Sequence, residues 1–197
     1  MILTDLSGVP EADLPVEALR AQLRLGTGFA DDGIQDPVLL ACLRAALTRL
    51  ETRLGKAVLR RRFRWRVEAW RDLARFDLPL APAVSVESFV IHDRGGTVRS
   101  IAPDRYRLVP DTHRPAVVAT GFALPTIPVG GAAEVVFDAG YGAAWDAVPG
   151  DLAQAVLMLA ADLYDGRGGA GGDAALPAGV AELTSAYRPL RLFGGRA

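Results

Sequence analysis

The sequence has little of what catalysis usually needs. There is one cysteine, Cys42, in 197 residues, and there are two histidines, His92 and His113. A single cysteine excludes an internal disulfide and gives no hint of an oxidising compartment. Neither histidine has a second His, Cys or carboxylate at metal-ligand spacing, so both read as structural and no metal or cofactor is expected. Cys42 lies beside the apolar stripe of a helix, where a thiol is expected to be buried and unreactive. Charge of one sign is also missing: 22 basic and 23 acidic residues leave a net charge of -1. Any attraction to nucleic acid must therefore be local. The longest apolar run, "LAQAVLMLAADL", is too short to span a bilayer and contains Gln154 and Asp162, so no membrane is expected. The opening "MILTDLSGVPEADLP" is acidic and broken by Gly and Pro, unlike a signal peptide. We expect a soluble protein of a reducing compartment.

Half of the residues are apolar, enough for one core or a core with an inserted subdomain. Residues 14 to 25 place Val16, Leu19 and Leu23 on one helical face. "DPVLLACLRAALTRLETRLG" is the clearest helix: Asp36 is its expected N-cap, Pro37 follows, and Gly55 closes it. Leu40, Leu43, Leu47, Leu50 and Leu54 make the expected buried stripe. From Val58 the period changes to two. "RFRWRVEAW", "ARFDLPL", a hairpin around Asp93 to Gly96, "DRYRLV", "PAVVAT" and "AEVVFDAGYG" read as strands. A helical period returns in "PGDLAQAVLMLAADLYDGR", with Leu152, Val156, Leu159 and Leu163 on one face. A glycine loop, a short helix over roughly 177 to 186, and an Arg-rich apolar tail follow.

The expected fold class is α+β: a helical core, with N-terminal helices packed on C-terminal ones, interrupted by an inserted antiparallel β subdomain. The expected division is 1–57 helical, 58–147 inserted β, 148–187 helical, and 188–197 an extended arm.

Weak motifs fall away on mechanism. "GRGGAG" at 166 to 171 matches GxGxxG, but it follows a helix instead of a strand and opens no helix, so no nucleotide site is expected. Asp162 and Asp165, like Asp31 and Asp32, read as solvated acids.

Two features remain. Five arginines, Arg60, Arg61, Arg62, Arg64 and Arg66, fall within seven positions. Alternation sends Arg62, Arg64 and Arg66 outward and Phe63, Trp65, Val67 and Ala69 inward. The aromatics are then core, not platforms for stacked bases. The arginine strip is left to touch phosphate, to pair with acids of a neighbouring subunit, or to be solvated. The tail, "YRPLRLFGGRA", mixes Leu190, Leu192 and Phe193 with Arg188, Arg191 and Arg196. Such a segment docks on its own domain or on a partner, and Pro189 favours an extended form.

The order of these segments resembles the head–tail connector (adaptor) proteins of long-tailed bacteriophages and gene transfer agents. The resemblance rests on "LPLAPAVSVESF", on "FDAGYG" joined to "VPGDLAQAVLMLAADLY", and on the terminal "YRPLRL", and it extends over nearly the whole chain. It implies a structural protein, not an enzyme. It implies a ring of identical subunits, twelvefold in the particle, beneath the portal protein, continuing the DNA channel and carrying stopper or tail-completion proteins. DNA would pass through without sequence-specific binding. By resemblance, the portal-binding arm is Tyr187, Arg188, Pro189, Leu190, Arg191, Leu192 and Phe193, and the protein is made in the bacterial cytoplasm and resides at the head–tail interface. The alternative from the residues is a DNA-binding module using the Arg60–Arg66 strip.

Overall fold

A computed structural model describes residues 1–25, 35–166 and 175–188. They form two compact units. The first contains Met1–Gly8 and Gly55–Ala143, the second Val9–Leu54 and Ala144–Arg188.

The first unit is all β. Its five-stranded antiparallel sheet is built from β1 (Ile2–Asp5), β2 (Arg61–Val67), β4 (Ala83–His92), β5 (Val98–Ser100) and β8 (Ala132–Ala139), in the order β1-β2-β8-β4-β5. A three-stranded sheet contains β3 (Arg75–Asp77), β6 (Tyr106–Val109) and β7 (Ala116–Ala119), in the order β3-β7-β6. The β4–β5 turn is the hairpin expected at Asp93 to Gly96. The Asp93 carboxylate accepts the Thr97 N–H at 2.8 Å, and Gly96 supplies the positive φ of 85°. Hydrogen bonds from the Thr97 backbone and side chain hold the Asp93 carboxyl below its usual pKa.

Alternation drives the core. Along β2 the pattern is buried at Arg61, Phe63, Trp65 and Val67 and exposed at Arg62, Arg64 and Arg66. Phe63, Trp65 and Val67 join Phe76, Phe89, Ile91, Tyr106, Val117, Val135 and Phe137 in one cluster. Its aromatics pack edge to face and stacked: Trp65–Phe76 centroids are 5.2 Å apart, Trp70–Phe76 4.9 Å and Phe89–Tyr106 5.4 Å. Ala69, expected inward, is exposed because β2 ends at Val67; Trp70 turns in instead and donates its indole N–H to Pro125 O at 2.8 Å.

Lys56 is fully buried at the base of this unit. Its ammonium donates to Thr112 O and lies 3.4 Å from His113 Nδ1. Burial lowers its pKa, partly offset by the Asp111 carboxylate. Asp111 is itself held low by the N–H groups of Arg114 and His113.

The second unit is helical: α1 (Val16–Gln22), α2 (Asp36–Leu54), α3 (Gly150–Asp165) and α4 (Ala178–Leu183). α2 and α3 pack on each other, with α1 against both and α4 on α3. Their shared core holds Leu19, Leu39, Leu43, Leu50, Leu152, Val156 and Leu159, all without exposure. The buried stripe of α2 starts at Leu39; Leu40 is only half-buried, and Cys42 is buried as expected. Asp36 is the first helical residue, not the cap. Gln35 O takes the first helical bonds, from Val38 and Leu39, and the Asp36 carboxylate pairs with Arg20 of α1.

The unit boundaries differ from the expected ones at both ends of the insertion. Residues 1–8 and 55–57 belong with the sheets, and 144–147 with the helices. β1 accounts for residues 1–8: four residues are too few to reveal a period, yet they pair residue for residue with β2 from Ile2↔Arg66 to Asp5↔Phe63.

Candidate functional site

β2 carries most of the predicted residues, and it splits them between its two faces. Arg60 precedes the strand and is exposed; its N–H donates to Gly142 O at 2.7 Å. Arg61 is the departure. It has the parity of Phe63 and is 8% exposed, so it does not belong to the outer strip. Its Nε meets Asp5 Oδ2 of β1 at 2.9 Å, and its guanidinium carbon lies 5.2 Å from the Phe63 ring centroid. This arginine fastens the edge strand.

Arg62, Arg64 and Arg66 form the outer row. Arg62 makes two bonds to Asp138 of β8, Nε–Oδ1 at 2.9 Å and a terminal nitrogen to Oδ2 at 3.1 Å, and approaches Glu87 Oε2 of β4 at 3.2 Å. The hydrogen bond to Asp138, and then its charge, raise the pKa of Arg62. Arg64 Nε lies 3.3 Å from Glu134 Oε1 of β8, and the other Glu134 oxygen is 3.7 Å from His92 Nε2 of β4. Arg66 stands between Ile2 and Glu134 in register and is exposed. Arg62 and Arg64 are thus matched by acids of their own sheet. Sequence reasoning considered phosphate, a neighbouring subunit and solvent, and missed Glu87, Glu134 and Asp138. The signal was available: in "AEVVFDAG", Glu134 and Asp138 share the outward parity, and Val135 and Phe137 have the opposite one.

The predicted arm begins at the end of the second unit. Tyr187 Oη donates to Asp151 Oδ1 at 2.5 Å, tying the segment after α4 to the first turn of α3. Arg188 is exposed, and Pro189, Leu190, Arg191, Leu192 and Phe193 lie outside the described residues, as does nearly all of the glycine loop.

Among the described residues no cluster of His, Cys, Asp or Glu could hold a metal ion, and no helix is long and apolar enough to cross a membrane. A cavity of about 490 Å³ lies in the first unit at the open side of β1 and β3, walled by Met1, Trp65, Trp70 and Phe76 with charges at its rim. It holds no catalytic grouping. What the site offers is surface: a charge-matched sheet face, an open sheet edge, and a tethered terminal segment.

Comparison with solved structures identifies the family. A chain from the neck of an empty gene transfer agent particle, computed with C6 symmetry, superposes with a TM-score of 0.90 at 45% identity, with all of both chains covered. A chain from the virion of a native gene transfer agent particle gives 0.87 at 45%, and one from the neck of the native particle, computed with C12 symmetry, gives 0.84 at 41%, again over all of both chains. The protein belongs to the neck proteins of gene transfer agents. No family model matches the chain, and no curated protein matches it. Full-length identity of this size carries both units of the neck protein together, the sheets as well as the helices. Its place is the particle, and its role there is structural, as a connecting component of the neck. The C6 and C12 symmetries of the related necks are consistent with a ring of identical copies.

Proposed function

We propose that this neck protein is the adaptor of its particle: a ring that joins the portal to the stopper and tail-completion proteins and continues the DNA channel. The observation that supports this most is full-length identity of 41–45% to chains in necks computed with C6 and C12 symmetry. A ring of copies needs no active site. It needs two complementary flanks on each subunit and a means of holding the next ring. In this reading twelve copies form the ring, and the arm, Tyr187 through Phe193, reaches the portal. The Tyr187–Asp151 bond supports that assignment by fixing where the arm leaves the helical unit.

The competing reading, a DNA-binding module on Arg60 to Arg66, loses most of its charge to Asp5, Asp138, Glu87 and Glu134. A channel lining that gripped phosphates strongly would also hinder passage of the duplex.

Co-sedimentation with the cognate portal ring tests the proposal, comparing the full chain with one ending at Tyr187. Binding by the full chain alone supports the adaptor and its arm. Equal binding by both keeps the adaptor and moves the contact elsewhere. Binding by neither overturns the reading.

A further inference from the structure

The five-stranded sheet has two open edges, β1 and β5. An edge strand offers unpaired N–H and C=O groups to any other strand, and natural sheets guard such edges with proline, inward charge, bulges or a cover. β1 carries one such guard, and only at its far end: Asp5, opposite core-facing Phe63, pairs with the buried Arg61, which leaves Ile2 to Thr4 unguarded. Ile2-Leu3-Thr4-Asp5 contains no proline or basic residue, pairs with β2 without a bulge, and is exposed at all four positions. Among the described residues no main-chain bond reaches its outer side. Ile2 is 63% exposed.

The core row also stops short here. Leu3 stands opposite Trp65 and shares its core-facing side, yet it is 39% exposed. Beside it, Met1 and Trp65 line the open cavity, and the buried Trp65 indole N–H has no hydrogen-bond partner. The opposite edge, β5, is exposed throughout, with Val98 55% exposed. The three-stranded sheet differs. On its edge strand β3, Arg75 and Asp77 pair with each other, and β6 runs into Pro110, both of which are guards.

We infer that β1 of one copy pairs with β5 of the next copy in the ring, joining the five-stranded sheets edge to edge. This rests on the ring reading above. A cyclic assembly with more than two members uses two different patches on each chain, whereas β1 against β1 gives a closed twofold pair. β1 and β5 are the two different ends of one sheet, four and three residues long. Ile2, Arg66, Glu134, Val90 and Ser100 form one outward row across all five strands. In the joined sheet Ser100 of one copy continues that row into Ile2 of the next. Strand addition supplies the main-chain bonds that β1 lacks, and apolar Ile2 and Val98 come to the same seam.

The test uses full-length protein carrying Thr4→Cys and Ser100→Cys, assembled on the portal and treated with a short bis-maleimide. The expected result is a ladder of covalent multimers from the double variant and none from either single variant. A dimer from Thr4→Cys alone would mean twofold β1 pairing and overturn the inference. Rings that form without cross-links overturn it as well, while leaving the adaptor reading intact. If the double variant does not assemble, hydrogen exchange on wild-type rings decides. Amides 2–5 should exchange at least about tenfold more slowly in the ring than in the free chain. Unchanged exchange, or slowing only after another neck protein is added, overturns the pairing. Absence of any wild-type ring overturns the inference together with the adaptor reading.

Discussion

The Arg62 guanidinium grips the Asp138 carboxylate with two bonds, 2.9 and 3.1 Å long, across neighbouring strands of one sheet. A planar fork on a carboxylate is the geometry in which arginine is most fully satisfied. Glu87, at 3.2 Å, adds a second negative charge on the other side.

That pairing makes the phosphate affinity of the strip testable. The wild-type protein should show no duplex binding at about 50 mM salt. Asp138→Asn combined with Glu134→Gln should unmask Arg62 and Arg64. Binding should then appear, and log affinity should fall with log salt. Steep salt-dependent binding by the wild type, flattened by Arg62, Arg64 and Arg66 to Ala, would restore the DNA module.

The α2 stripe sets a stability prediction. Leu47 is 3% exposed within the helical unit. Leu47→Ala should cost roughly 2–5 kcal/mol in denaturant unfolding, because a cavity adds to the lost burial. Leu40→Ala, on the half-buried flank, should cost clearly less.

Lys56 sets a pH prediction. Its folded pKa is lowered from 10.5 by burial, so between the two pKa values the unfolded chain binds the extra proton. Stability should therefore rise with pH on approach to 10.5, and Lys56→Met should remove that slope. The comparison belongs below pH 10, the ordinary tyrosine value. Above that range Tyr106, whose pKa is raised by burial, contributes the opposite slope, as the unfolded tyrosine ionises first. An unchanged slope in Lys56→Met would show that the ammonium is solvated.

Tyr187 separates anchoring from attachment. Tyr187→Phe removes the bond to Asp151 and should cost about 1 kcal/mol in stability. Portal co-sedimentation should weaken without disappearing, because the residues that follow are unchanged. No change in either measurement would detach Tyr187 from the arm's role.

Strands with a strict period were readable in the sequence. Phe63, Trp65 and Val67 alternate with arginines over enough residues to fix both the strand and its buried face. The hairpin was legible because Asp93 and Gly96 carry its turn chemistry. β1 was not, since "ILTD" is too short for periodicity and becomes a strand only because β2, some sixty residues later, supplies its partner. The one-position shift from Leu40 to Leu39 has a similar origin: both suit a helical stripe, and tertiary packing chooses between them. Arg61 lay within a run of like residues, and only the parity of β2 with its Asp5 partner reveals that it faces inward. The acids that answer the outer arginines were visible in composition but not in pairing, because register between distant strands is a property of the folded sheet.

All but one of the 22 basic residues are arginines, and the exception, Lys56, is sealed in the sheet unit. Aldehyde fixatives and succinimidyl esters couple proteins through primary amines, which guanidinium groups do not provide. In the described part of this subunit they find no accessible lysine side chain, so amine-directed coupling there is left with the α-amino group of the exposed Met1.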